Sequence, residues 1–503
     1  MRRSIRYEIF GSAVGILLAF AVTDAFAAAG DKPKMSGDVE ITDHDSKVFR
    51  PGPTYENEKY DPEAQRQIYG GKRPIDTPRP LLEIGRSIYT EGPFRDGSTA
   101  LGQKNIFDPS LAIYGEWRTA VAFNDNGAVE KGLVATRLDL DVDLKLTATE
   151  RIHALFRPLD QGGKFTRYEF AGDDREQGDL VVDGNLQTLF FEGDIGSIVA
   201  GIKDEYVSFD LPISGGLMPL FFQNGVWFDD AFIGGAFAIP SLNSPMLDIS
   251  NMDITFFGGV DKVTTPAITD DQGNLADHNL NIFGIALYAE ANQGYWEGGF
   301  GRVDGTGDFD DNSYNSLTLA FSKRYRNWFS NSTRVVWTFG QEEGPRGGQQ
   351  TADGFMLLSE NSLITHLPST LVPYFNAWVG LDRPQPLADD TGLLKNTGIN
   401  FETDALTGFP RLDDTGHNTF GAALGVQYLF SLDQQIIVEV ATAQIIGDAN
   451  EIGRAARDDQ YGFQIRYQRP FAKGWIVRAD AMYGALKGLD DLAGVRLEFR
   501  RKF

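Results

Sequence analysis

Residues 492–503 read LAGVRLEFRRKF. At period two, Val495, Leu497, Phe499 and Phe503 fall on one face, and Arg496, Glu498, Arg500 and Lys502 on the other. That alternation describes a strand with one apolar and one strongly polar side. A water-soluble sandwich hides the apolar face and turns charge outward. A membrane barrel reverses this, with apolar side chains toward lipid and charge toward a wet lumen.

The same pattern is cleanest at residues 137–146, RLDLDVDLKL. Leu138, Leu140, Val142, Leu144 and Leu146 alternate with Arg137, Asp139, Asp141, Asp143 and Lys145. An amphipathic helix needs spacings of three and four, which this run lacks. Upstream, 110–123 places Leu111, Ile113, Trp117, Val121 and Phe123 opposite Tyr114, Glu116 and Arg118. Short links such as TATE alternate with long polar loops after Asp160 and at 384–417, as expected for an up-and-down barrel crossing a membrane.

Composition agrees. The chain has 503 residues, 23% charged and 12% aromatic, with 56 glycines and no cysteine. The missing thiols exclude disulfides, thiolate metal sites and cysteine nucleophiles. Arg2, Arg3 and Arg6, the apolar run Ile9–Val22 and Ala25-Phe26-Ala27 form the three parts of a secretory signal peptide, residues 1–27. Its removal takes away three arginines against Glu8 and Asp24, so the net charge moves from −24 to −25. No basic stripe survives that balance, and no nucleic-acid partner is expected. No later segment reads as a spanning helix, and only a closed barrel satisfies its backbone polar groups in lipid without helices.

A terminal strand that ends on Phe503, with Phe499 and alternate apolar residues before it, resembles the C-terminal signature of Gram-negative outer-membrane β-barrels. Arg501 departs from that pattern. The resemblance implies a porin-like channel, recognised by the barrel assembly machinery and set among outer-membrane lipid and lipopolysaccharide. The expected fold is all-β, an antiparallel transmembrane barrel of about sixteen strands with eighteen as the alternative, since such barrels have even strand numbers. Residues 28–107, polar and proline-rich, form a periplasmic extension or partial plug, and residues 108–503 form the barrel. By analogy with sixteen-stranded porins, a homotrimer is a candidate assembly.

Within the barrel, residues 185–207 read as a hairpin turning at GDIGS. Residues 209–245, rich in Gly, Pro and Phe without clean alternation, are a candidate constriction loop, or else an extracellular loop or irregular strand pair. The wall face collects Arg118, Arg137, Lys145, Arg157, Arg324, Arg334, Arg466, Arg478, Arg496, Arg500 and Lys502 against Glu116, Asp139, Asp141, Asp143, Glu439, Asp480 and Glu498. This basic surplus predicts a lumen that favours anions under acidic loops, since wall charge sets pore selectivity. The Asp139, Asp141, Asp143 row reads as an ion-pairing partner of Arg496, Arg500 and Lys502, because first and last strands meet in a closed barrel. Asp308, Asp310 and Asn312 have the spacing of a calcium loop but lack its Gly and distal Glu.

The expected function is passive diffusion of small hydrophilic, anionic solutes, without cofactor or metal. An export or uptake barrel for an acidic polysaccharide and a sealed structural barrel are the alternatives. An enzyme is not expected: no HExxH or GxSxG occurs, and only Asp277-His278 and His417 offer loop histidines of the kind barrel hydrolases use.

Overall fold

The computed structural model describes residues 78–86, 97–172, 175–368, 370–402, 404–430, 434–448 and 456–503. The strands are β1 (Leu82–Ile84), β2 (Ser110–Asp125), β3 (Glu130–Lys145), β4 (Arg151–Phe156), β5 (Asp160–Gln161), β6 (Lys164–Gly172), β7 (Gln177–Asp179) and β8 (Leu186–Asp194). Helix α1 (Ile195–Lys203) follows, then β9 (Pro212–Phe222), β10 (Phe228–Ser244), β11 (Ile249–Asp261), β12 (Leu280–Ala291), β13 (Gly294–Gly305), β14 (Tyr314–Tyr325) and β15 (Phe329–Phe339). The series ends with β16 (Asp353–Leu363), β17 (Leu371–Arg383), β18 (Thr419–Phe430), β19 (Gln434–Ile445), β20 (Gln460–Ala472), β21 (Trp475–Leu486) and β22 (Leu492–Lys502).

Neighbouring strands pair antiparallel, and β2 pairs with β22 to close the wall. Eighteen strands form it: β2, β3, β4 and β8 to β22. β5 to β7 are elaborations on the connection from β4 to β8, where β6 extends the upper half of β3. The count is therefore eighteen rather than sixteen. No helix among the described residues is long and apolar enough to cross a membrane, which leaves crossing by strands untouched.

Two corrections explain the count. Residues 209–245 supply the strand pair β9–β10, the strand-pair alternative and not the constriction loop. The run FMLLSENSL gives β16, a strand without a polar face at its upper half. In both places the inward side chains are apolar, with Met218, Phe232 and Met356 at 0% exposure and Leu358 at 1%. They are covered from inside by the connection between β17 and β18, residues 384–418, so these strands are apolar on both faces and lose the period-two signal.

That connection, read from sequence as a long polar loop, turns back into the barrel. Leu387, Ala388, Leu394 and Phe401 are fully buried among wall residues. Its backbone is tied to the wall, with Leu387 N donating to Trp227 O at 2.8 Å and Asp389 N to Thr264 O at 2.9 Å. Glu439 on β19 accepts from Ile399 N at 3.0 Å, from Asn400 N at 2.9 Å and from the Tyr374 hydroxyl at 2.5 Å. Gly301 on β13 makes room for it, since an added Cβ would lie 2.3 Å from Leu387, and Gly299 makes room for the Trp227 ring at 2.4 Å.

The end at which the chain enters β2 and leaves β22 also departs from expectation. Residues 185–207 form one strand and then α1, because the Asp194 carboxylate caps the helix by accepting from Ser197 N at 2.6 Å. Residues 97–108 pack on that helix, where Gly102 and Gly201 touch so closely that a Cβ on Gly102 would sit 1.9 Å from Gly201 O. Residues 28–77 and 87–96 lie outside the described residues.

Candidate functional site

Period-two alternation on β20, β21, β22 and β2 sends one set of charges into the lumen. Arg466 lies in register with Asp480, and Asp480 with Arg496. Arg478 lies opposite Glu498, and Arg118 opposite Arg500. The outward neighbours Val495, Leu497 and Phe499 are exposed on the barrel surface, as the sequence pattern predicts.

Asp480 is the hub of this wall. It accepts from Arg466 Nε at 2.6 Å, from Arg478 Nε at 2.9 Å and from Arg496 Nη2 at 2.9 Å. One carboxylate thus holds three guanidinium groups side by side. Beside it, Glu498 accepts from Arg118 Nη2 at 2.6 Å and also pairs with Arg500. Charge-assisted pairs of this kind fix guanidinium planes as well as neutralise them.

The far edges of the same guanidiniums meet the inserted connection. Arg466 Nη1 donates to Glu402 Oε2 at 2.5 Å and Arg478 Nη2 to Glu402 Oε1 at 3.0 Å. Asp404 stands 2.5 Å from Arg496 Nη1 and 3.7 Å from Arg118 Nη2. Phe409 lies under the Arg496 guanidinium, 4.9 Å from ring centroid to Cζ. Burial acts to raise both loop carboxyls, but Arg466 and Arg478 outweigh it at Glu402, and chiefly Arg496 at Asp404, so both lie below the usual carboxylate range.

On the β3 side, Arg137 pairs with Asp139 at 2.8 Å and Glu116 at 3.3 Å, and Arg157 with Asp139 at 3.0 Å. Asp143 meets Arg151 at 3.2 Å. The acidic row therefore pairs with arginines of its own strand and of the chain just after it. Arg496 and Arg500 turn instead to Asp480, Asp404 and Glu498. Asp139 and Asp141 line a cavity of about 470 Å³ at the terminal mouth with Glu116, Tyr114, Lys502 and Phe503. Lys145 sits at the same end, in register with Arg151. Among the described residues no group of three or more His, Asp or Glu could hold a metal ion.

Across the lumen, Asp253, Glu297 and Tyr288 line a small cavity of about 70 Å³ with Gln223 and Trp227. Arg334 is buried on that side and pairs with Glu360 at 2.9 Å. Arg324 is exposed near the end of β14. The predicted basic surplus is thus reduced, because the inserted connection delivers Glu402 and Asp404 against the wall. Neither residue stands out in the sequence. The usable signal is the series Phe401, Leu406, Phe409 and Leu412, apolar side chains spread through a stretch that a solvated loop would keep polar.

No protein-family model matches the sequence, and no curated protein does. Solved outer-membrane porins match by shape. Pseudomonas aeruginosa OccK2 (OpdF) aligns with a TM-score of 0.50 at 10% identity, over 78% of this chain and 97% of that one. Pseudomonas aeruginosa OpdQ aligns at 0.49 and 11% identity, over 79% and 99%. Acinetobacter baumannii OccAB4 aligns at 0.48 and 11% identity, over 78% and 98%. The fold is the closed antiparallel β-barrel shared with OccK2.

His278 is exposed and bonds Asp261 at 2.8 Å, while His417 contacts Gln385 at 3.3 Å. Asp308, Asp310 and Asn312 lie in a short 3-10 turn, Gly307–Asn312, where Asn312 donates to Glu343 O at 3.0 Å.

Proposed function

We propose that the protein is a passive channel for small hydrophilic anions in the outer membrane, and that solutes travel along the arginine wall of β20 to β22 and β2 to β4. Residues 1–27 are removed on export, and the end carrying β1 and α1 faces the periplasm. One observation supports this above the others: three arginines on adjacent strands turn their Nε edges to Asp480 and their Nη edges to the lumen side. Adjacent strands are about 4.8 Å apart, so a carboxylate or phosphate can pass from one guanidinium to the next without losing its bonds. Arg118, Arg137, Arg157, Arg466, Arg478, Arg496 and Arg500 are the selectivity residues of this reading. Asp139, Asp141, Asp143, Lys145 and Lys502 tune the mouth.

The test is single-channel conductance of the folded barrel in a planar bilayer, with reversal potential under a salt gradient. Anion preference supports the reading, and cation preference overturns it. The inserted connection favours a second reading, a barrel closed at rest. In that case the full chain is silent and a chain lacking residues 386–416 conducts. The same filling argues against export of an acidic polysaccharide. Phe499 and Phe503 serve as the assembly signal in this reading, and deletion of Phe503 lowers the yield of inserted barrel in cells.

A further inference from the structure

The wall arginines are held from two sides by different parts of the chain. Asp480 belongs to the wall and takes the edge near the strand. Glu402 and Asp404 belong to the inserted connection and take other nitrogens of the same guanidiniums, with Glu402 the most exposed of the group. Three guanidiniums against Asp480 leave two positive charges, and two loop carboxylates match them.

Contacts besides these two carboxylates also hold the connection in place. Leu387, Leu394, Phe401 and Leu412 seat it in the apolar interior, and Glu439 fixes its backbone at Ile399 and Asn400. A further tie runs from Lys395 to Asp229 at 2.7 Å. Ion pairs removed from water contribute little net stability on their own. What Glu402 and Asp404 do supply is one carboxylate oxygen to each guanidinium: Glu402 bridges Arg466 and Arg478, and Asp404 faces Arg496, contacts that the carboxylates of a ligand can also make.

We propose that Glu402 and Asp404 occupy a two-carboxylate solute site, and that the ligand which replaces them is a short dicarboxylate. This rests on the anion channel proposed above and names its substrate class. The loop carboxylates are tethered competitors. A solute with one carboxylate frees one of them and leaves the other seated. A solute with two restores the partners of Arg466, Arg478 and Arg496 together. Selection then follows from competition: the apparent affinity of a solute is its intrinsic affinity scaled by the fraction of time the site is vacated.

The experiment is calorimetric titration of succinate, with acetate for comparison, into the full-length mature protein folded in detergent. Removing the competitors in E402Q/D404N tightens succinate by at least about tenfold and acetate much less. Adding R478Q to that variant abolishes the gain. Equal succinate affinity in the two proteins, an equal gain for acetate, or a gain that survives R478Q overturns the proposal. E402Q alone, which keeps the Asp404–Arg496 pair, gives a smaller gain in the same direction and serves if the double variant does not fold. Binding is read without conduction, so the two readings fail separately. A binding gain in a barrel that never conducts refutes the channel and leaves the site. An anion-selective channel without the gain refutes the site and leaves the channel.

Discussion

Arg118 on the first wall strand and Glu498 on the last are joined through two guanidinium nitrogens, Nε at 3.2 Å and Nη2 at 2.6 Å. The pair crosses the seam where the barrel closes, and Glu498 is fully buried. Breaking a buried pair strands a charge and costs about 3–5 kcal/mol. E498Q is therefore expected to lower the urea midpoint of the detergent-folded barrel by that free energy. R118M/E498L, which removes both charges of this pair, recovers part of the loss, since Arg500 still lacks its partner.

Asp480 is the only wall carboxylate within bonding distance of Arg466, Arg478 and Arg496 among the described residues. D480N leaves three guanidiniums without their shared partner. The expected result is a loss of roughly 3–5 kcal/mol in unfolding free energy together with a reversal potential shifted further toward anions. R478Q shifts the reversal potential the other way. Equal shifts for the two variants would contradict the wall as the selectivity element.

The inserted connection is seated on glycines, so it can be unseated sterically. G301V places a side chain where Leu387 now lies, 2.3 Å from the added Cβ. Overpacking of this kind costs about 1–3 kcal/mol. The expected outcome is a raised single-channel conductance in a barrel that stays folded. A matching substitution on the opposite wall, away from the connection, leaves conductance unchanged.

Acid should release the same connection. The carboxyls of Glu402 and Asp404 are held low by their arginines, so their contribution is present above the ordinary carboxylate range and is lost as pH falls through the lowered values. Burial, and then Arg383, pulls His417 down to about 4, so packing of its neutral form weakens as pH falls from 6.5 toward 4. Asp413 works oppositely. Burial, and then Asp414, pushes it up to about 6, so its packing strengthens as pH falls from 6. Asp389 and Asp414 of the same connection are also raised by burial and act as Asp413 does. These gains offset the His417 loss down to about 4, and below it the losses at Glu402 and Asp404 remain. Conductance measured against pH is expected to hold steady from 7 down to 5 and to rise below about 4.

The parts of this fold that could be read from sequence are those whose inward face is charged. β3 and β22 alternate strictly because Asp139, Asp141, Arg496 and Glu498 point into the lumen while leucines and valines point out. β16 could not be read, since Met356 and Leu358 face an apolar connection instead of water. α1 was hidden because the short apolar run Ile198-Val199-Ala200-Gly201-Ile202 fits a strand as well as a helix, and the Asp194 cap decides for helix. Of the candidate site, the wall arginines were legible by parity. Their loop partners were not, because Glu402 and Asp404 find Arg466, Arg478 and Arg496 only through the return of a connection that begins after β17. Local pattern carries no record of a contact made 64 residues away, as between Glu402 and Arg466.

The edge of β2 is divided between two distant pieces of chain. Residues 111–113 pair with β1, residues 116–125 pair with β22, and Gly115 exchanges backbone bonds with Phe503 at the junction. Gly115 has no room for a side chain, since a Cβ there would meet Asp139 O at 2.0 Å. Until β22 arrives, the upper ten residues of β2 are a raw row of amide and carbonyl groups, and β21 offers a second. A chain cut short before β22 would carry two matching sticky borders and join edge to edge with its copies. The last strand is thus a safeguard against polymerisation as well as a piece of wall.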